Sequence, residues 1–128
     1  METFKKEERL CNKKTIESLF KKGKTSFAYP FNVKWTNNQS DNKFPAQILI
    51  IVPKRNFKKA VDRNRLKRII REAYRKNKSI LYQTLVFKNV NIAFALIYTE
   101  KEILKYKLIE DKIIITLQRL IKDIEKSF

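Results

Sequence analysis

Histidine is absent from the 128-residue chain, and cysteine occurs only once, as Cys11. These shortages exclude a zinc site built from histidine and cysteine, and every nucleophilic or acid–base scheme that needs a histidine. A single cysteine cannot form an intramolecular disulfide, and without a partner base Cys11 is assigned no role. A nuclease acting alone would need clustered carboxylates for two metal ions, but the 13 acidic residues are scattered.

Long apolar runs are also missing from the sequence. No stretch approaches the roughly 18 apolar residues that a membrane span needs. The first ten residues, METFKKEERL, lack the apolar region of a signal peptide. We therefore expect a cytoplasmic protein with no membrane partner.

Glycine occurs once, as Gly23, directly after residues 12–22, which have the pattern of a short amphipathic helix. Asn12 is a candidate N-cap, and three apolar residues share one face of this helix. A sole glycine just past a helix end predicts a left-handed backbone conformation at Gly23.

Positive charge is abundant, since 30 Lys and Arg residues oppose 13 acids and give a net charge of +17. Such self-repulsion destabilises a compact monomer, so a polyanionic partner is expected. Nucleic acid is the first candidate, followed by an acidic membrane surface and an acidic protein. With 43% hydrophobic residues the chain is apolar enough to fold, and its length suits one domain.

The hydrophobic pattern predicts an α/β fold in the order helix, strand, strand, helix, strand, helix. The β-branched runs 46–52 and 91–98 are typical of buried strands and are predicted to form the centre of a mixed sheet. Thr99 and Glu102 have the spacing of a capping box that would open a long final helix. The other predicted elements are a helix over 12–22, an edge strand or bulged strand that contains Pro30 over 26–36, a helix over 58–78 and an additional strand near 85–88.

Charge is concentrated in residues 53–78, which hold 12 of the 30 cations and only two acids. Most charged helix faces are simply solvated, but a solvated face normally mixes signs, whereas here like charges crowd one another. Arginine also suits phosphate recognition, so this segment favours contact with nucleic acid. The face opposite the apolar stripe carries Asn64, Arg68, Arg71 and Arg75, flanked by Arg65 and Lys67, with Arg63 beside the helix start.

Charge alone does not separate DNA from RNA. The sequence has no second helix at a short turn before the basic helix, no heptad zipper and no zinc finger. Aromatic residues near the basic groups favour single-stranded or irregular RNA, which proteins bind by stacking. We therefore expect RNA rather than DNA.

The segment from Pro53 to Arg75 resembles the signature of the bacterial ribonuclease P protein family. Its centre is Arg63-Asn64-Arg65, then an aliphatic residue and Lys67-Arg68, then two aliphatic residues and Arg-Glu-Ala. A bare R-N-R triplet is a weak match, but the whole run directly after a buried strand is specific. The similarity extends to Arg9-Leu10 and to Phe20-Lys21-Lys22-Gly23, and covers the chain by motif to about residue 78.

This resemblance implies one compact RNA-binding α/β domain over residues 1–128, with a left-handed βαβ crossover. It implies a subunit of an endoribonuclease that removes the 5′ leader of precursor tRNA, in which the RNA subunit is catalytic. The implied partners are that RNA and precursor tRNA. Mg²⁺ would be held mainly by the RNA, and no organic cofactor, protein-bound metal or DNA partner is expected.

The resemblance and the helical face together predict two sets of binding residues and no catalytic residue. The set expected to contact the RNA subunit is Arg63, Asn64, Arg65, Lys67, Arg68, Arg71 and Arg75. The set expected to line a leader cleft between the first helix and the sheet is Phe20, Phe31, Val33, Trp35, Lys54 and Arg55.

Two alternatives stay open on the sequence alone. Phe20 fits the core and a ligand surface equally well, whereas Trp35, beside Lys34 and before a polar loop, favours a ligand surface. An RNA chaperone or ribosomal protein outside tRNA processing would share the charge, size and aromatic content of this chain. Only the extended signature argues against that alternative.

Overall fold

One four-stranded mixed sheet, with helices on both faces, organises the chain. The computed structural model describes residues 3–38 and 43–128. After a short 3-10 turn over Lys6–Glu8, the elements are α1 (Lys13–Lys22), β1 (Lys24–Ala28), β2 (Phe31–Asn37), β3 (Ala46–Ile51), α2 (Ala60–Asn77), α3 (Ser79–Lys88), β4 (Ile92–Tyr98) and α4 (Tyr106–Ser127). None of the helices in the described ranges is long and apolar enough to cross a lipid bilayer.

The strands lie in the order β1-β2-β4-β3, with β3 parallel to β4 and the other pairs antiparallel. This confirms the predicted mixed α/β fold with a crossover between parallel neighbours; the handedness of the crossover stays a prediction. β4 is central as expected, but β3 is an edge strand. Arg9 forms an isolated parallel bridge with Ile48 of β3.

The single strand predicted over 26–36 is instead a hairpin. β1 and β2 pair in antiparallel register from Lys24 with Trp35 to Ala28 with Phe31, and the Tyr29–Pro30 peptide in the turn is cis. Proline has no N–H to donate to a ladder, so it is placed at the turn rather than within a strand. The predicted element order is therefore short of one strand.

Two predictions for the chain after α2 are wrong, one about the type of an element and one about where a helix begins. Residues 85–88 belong to helix α3, in which Leu81 and Leu85, four residues apart, are both buried. The final helix begins at Tyr106 rather than at Thr99, whose hydroxyl donates to the carbonyl of Pro30 at 2.9 Å. Thr99 thus links the end of β4 to the hairpin turn by a hydrogen bond instead of capping a helix.

The two faces of the sheet are covered by different helices. On one face, α2, α3 and α4 pack over a large core that includes Phe94 and Leu96 of β4. On the other, α1 packs Leu19 against Ala93 and Ala95. We call this second side the α1 face. Because side chains alternate along a strand, the residues of β2 on the α1 face are Asn32, Lys34 and Thr36.

Helix α1 begins and ends as its sequence requires, but Gly23 acts for a different reason than predicted. The side chain of Asn12 accepts a hydrogen bond from the backbone N–H of Thr15 at 3.1 Å, which confirms the N-cap. Gly23 has φ of −65°, so the predicted left-handed conformation is wrong. A Cβ atom there would lie 2.2 Å from the carbonyl oxygen of Leu19. Gly23 is needed because the chain passes close to the helix end as it enters β1.

Replacing Gly23 by alanine should therefore destabilise the protein. The added methyl group must displace backbone rather than a flexible side chain, so we expect a loss of about 1 to 3 kcal/mol in the free energy of unfolding. Urea denaturation followed by circular dichroism measures this loss. Ser18→Ala, an exposed change within α1, is the control and should change stability little. Equal stability of Gly23→Ala and the parent would refute the steric explanation.

Candidate nucleic-acid interface

Helix α2 presents a polar face to solvent along its length. Its buried residues are Leu66, Ile70, Ala73 and Tyr74. Asn64, Arg65 and Arg68 are exposed. This is the orientation that helical periodicity predicts, because the apolar stripe faces the sheet and the cations point away from it. Phosphate groups can therefore approach these side chains without disturbing the core.

Two of the predicted cations already have intramolecular partners. Arg63 is half-buried, and its Nη1 donates to the carbonyl oxygens of Phe57 at 2.8 Å and Lys58 at 2.9 Å. Arg75 donates twice to the carboxylate of Glu72, at 2.6 and 3.1 Å. Arg63 thus holds the loop before α2 in place, and any phosphate at Arg75 would share the guanidinium with Glu72.

Two further cations of α2 face a small groove shared with the N-terminal segment. Arg9, Lys67 and Arg71 line this groove, which has a volume of about 190 Å³, together with Cys11 and residues of β3. Partial burial lowers the pKa of Arg71, and the nearby charges of Arg9 and Arg68 lower it further. Burial is the larger cause and cationic crowding the smaller one, and an external anion would relieve the crowding.

A buried ion pair positions Arg9 at this groove. Glu8 is fully buried, and its carboxylate accepts hydrogen bonds from the Lys78 ammonium and the Tyr82 hydroxyl. The backbone N–H of Lys5 donates to the same carboxylate at 2.5 Å. Sequence reasoning missed this contact, because the run KKEER has the composition of an ordinary solvated segment.

Three of the residues predicted for the leader cleft lie on the face of the sheet opposite α1. Phe31, Val33 and Trp35 are 0%, 1% and 2% exposed, within the core under α2 and α4. The Trp35 ring lies 6.4 Å from that of Phe128, and the Lys24 ammonium lies 5.2 Å from the Trp35 ring centroid. These three side chains cannot stack on a base in this structure, and the core interpretation of Trp35 is the correct one.

The α1 face carries a different set of accessible groups. Phe20 is 38% exposed, and the Lys34 ammonium lies 5.5 Å from the centroid of its ring. Lys34 comes from β2, so an aromatic ring and a cation from two elements meet beside the sheet. The signal that could have identified Lys34 is strand alternation, since it lies one residue out of phase with Val33 and Trp35.

The remaining predicted leader residues, Lys54 and Arg55, are exposed in the turn between β3 and α2. The turn is closed by backbone hydrogen bonds from Asn56 and Phe57 to the carbonyl of Pro53. Within residues 3–38 and 43–128, no group of three or more acidic, cysteine or histidine side chains is arranged to hold a metal ion.

Comparison with known proteins gives one consistent family. The family model described as Ribonuclease P matches residues 4–120. A ribonuclease P protein component of Porphyromonas gingivalis is 32% identical over 105 residues, which cover 82% of this chain and 77% of the relative. A component from Thermotoga maritima is 39% identical over 80 residues, covering 62% of this chain and 65% of the relative.

Solved structures agree with the sequence comparison. The ribonuclease P protein of T. maritima superposes with a TM-score of 0.69 at 26% identity, covering 88% of this chain and 96% of that one. The protein from Staphylococcus aureus superposes with a TM-score of 0.67 at 22% identity, covering 88% of this chain and 94% of that one, a likeness in fold.

Proposed function

From the premise that the chain belongs to the ribonuclease P protein family, we propose that it binds RNA through two surfaces with separate tasks. The family supplies the protein component of ribonuclease P, so the chain is a subunit of an endoribonuclease that matures the 5′ end of tRNA. This membership favours tRNA processing over the role of a general RNA chaperone. Because its RNA substrates are made in the bacterial cytoplasm, we place the complex there.

The first surface is the polar face of α2, which we assign to the RNA subunit. The observation that carries this proposal is the exposure of Asn64, Arg65 and Arg68 opposite a fully buried stripe. Lys67 and Arg71 extend the surface into the groove that Arg9 lines. Arginine forks bind phosphate oxygens in pairs, and such contacts position a protein on RNA without reading its sequence.

The second surface is the α1 face, which we assign to the 5′ leader of precursor tRNA. An exposed aromatic ring beside a cation is the pairing that binds an unpaired nucleotide, since the base stacks on the ring and the ammonium meets the phosphate. Phe20 and Lys34 supply these groups. Lys54 and Arg55, at the end of β3, would meet phosphates of the same strand. Phe31, Val33 and Trp35 are not part of this proposal.

Catalysis is assigned to the RNA subunit. The chain has no histidine, and Mg²⁺ would be held mainly by the RNA. The protein would lower the Mg²⁺ concentration that the RNA needs, because its cations neutralise phosphates that otherwise repel one another. The protein thus contributes RNA binding and charge neutralisation, and it does not take part in cleaving the phosphodiester bond.

Processing of precursor tRNA by a ribonuclease P RNA at low Mg²⁺, with and without this protein, tests the proposed function. We expect the protein alone to cleave nothing and to stimulate the RNA. Replacing both Arg65 and Arg68 by alanine should weaken assembly for every substrate and flatten the slope of log affinity against log salt by about one to two units. The double variant should still stimulate cleavage when supplied at higher concentration.

Lys122→Ala with Lys126→Ala is the matched control, because it removes the same charge from exposed positions of α4. Its salt slope should stay close to that of the parent. If the two double variants behave alike, the contribution is net charge and the α2 face is not the site. Cleavage by rigorously RNA-free protein would overturn the assignment of catalysis to RNA.

Two aromatic substitutions distinguish a binding role on the α1 face from a structural role in the core on the opposite side of the sheet. Phe20→Ala should lower affinity for precursor tRNA by about 1 to 3 kcal/mol, the value of one stacked base, and leave mature tRNA unaffected. Trp35→Ala should instead lower the free energy of unfolding by about 3 to 5 kcal/mol, because it opens a cavity in the core. Phe87→Ala, at an 89% exposed position on α3, is the control for Phe20. Equal weakening of precursor and mature tRNA by Phe20→Ala would remove this ring from the leader site.

A further inference from the structure

A second aromatic and basic groove lies at the outer edge of the sheet. It has a volume of about 250 Å³ and runs between β1, the hairpin turn and α4. We call it the β1 edge groove. The residues that line it are Phe27, Ala28, Tyr29, Lys112, Ile115 and Arg119.

The aromatic side chains of this groove are unusually accessible. Phe27 is 54% exposed and Tyr29 is 48% exposed. The Tyr29 hydroxyl donates to the carboxylate of Glu100, which fixes one end of the side chain while half of its surface stays open. An exposed ring held in position is suited to stacking with a planar group, since little side-chain entropy is lost on binding.

The groove also has two cations beside these rings. Nη1 of Arg119 donates to the carbonyl oxygen of Phe27 at 2.7 Å, so the guanidinium is anchored to the edge strand. Lys112 lies on α4 two turns before Arg119. None of the four ion pairs found among residues 3–38 and 43–128 includes Lys112 or Arg119. Two carboxylates lie near this rim: Glu100, which accepts the hydrogen bond from Tyr29, and Glu102, whose charge also acts on the Tyr29 hydroxyl.

Phe27 belongs both to the lining of the β1 edge groove and to the α1 side of the sheet. Phe27 pairs with Asn32, and directly paired residues point to the same side of a sheet. Asn32 lies two residues before Lys34 in β2 and on the same face, so Phe27 lies about 7 Å along the strands from the row that contains Lys34. An unpaired strand passing Phe20 and Lys34 would reach Phe27 after about one nucleotide and then meet Arg119 at the edge.

We propose that the β1 edge groove binds the upstream part of a single-stranded RNA leader, with Phe27 and Tyr29 as stacking surfaces and Lys112 and Arg119 as phosphate contacts. This inference rests on the proposed function of the α1 face. Alternating rings and cations match a strand whose bases are unpaired, whereas a duplex would hide its bases. The two cations match a polyanion, and an acidic protein segment at the same place is the alternative that the experiment separates.

The experiment uses the assembled ribonucleoprotein and a series of precursor tRNAs whose leaders lengthen one nucleotide at a time. We expect Phe27→Ala with Arg119→Gln to bind mature tRNA and short-leader precursors as the parent does. Once the leader passes the α1 face, the double variant should bind about tenfold more weakly. Lys112→Gln alone should show a smaller loss at the same leader lengths. The matched control is Phe87→Ala with Lys88→Gln on α3, which should follow the parent at every length.

The outcomes separate this inference from the proposed function. If the parent gains affinity from a short leader and nothing more from a longer one, or if the double variant follows the parent throughout, the β1 edge groove does not bind the leader and the α1 face keeps its role. If the parent does not distinguish mature from precursor tRNA, the leader assignment of the α1 face fails as well. A loss that is equal at all leader lengths, with unchanged thermal unfolding, would overturn the proposal by placing the contact elsewhere on the tRNA or on a protein segment.

Discussion

Burial of β4 on both of its faces is the constraint on which the rest of the structure depends. Residues 92–96 are all buried, because α2, α3 and α4 cover one side and α1 covers the other. The large helices leave no accessible surface on their side of β2. The α1 helix is short and covers its side only partly, with Phe20 and Lys34 at the margin. The side with the smaller helix is therefore the one that can accept a ligand.

The charge distribution follows from the same packing. Cations on α2 point away from the sheet, and one buried pair, Glu8 with Lys78, holds the N-terminal segment beside them. Breaking such a pair is costly because it leaves one buried charge uncompensated. Arg9 is thereby placed near Arg71, although like charges repel. The phosphates of an RNA partner would neutralise part of the net charge of +17.

Local patterns predicted the elements whose periodicity is unambiguous, among them α1, β4, α2 and the body of α4. They failed where a distant contact decided the outcome. Thr99 has the spacing of a capping box, yet it bonds to Pro30 across the hairpin turn. Gly23 was predicted to need a left-handed backbone, but its requirement is a close approach to Leu19. Residues 85–88 are β-branched or aromatic in part, yet their spacing from Leu81 suits a helix.

The sequence by itself determined the basic face of α2, because a helix buries one stripe whatever it packs against and the cations occupy the opposite one. It also carried the family signature from Pro53 to Arg75. Only the tertiary structure decided which side of β2 is open. Because side chains alternate along β2, Val33 and Trp35 lie on one face of the sheet and Lys34 lies on the other. The sequence does not say which of these two faces the helices bury. The proposed leader surface depends on that placement, because a contact between α1 and the sheet is not encoded in either segment alone.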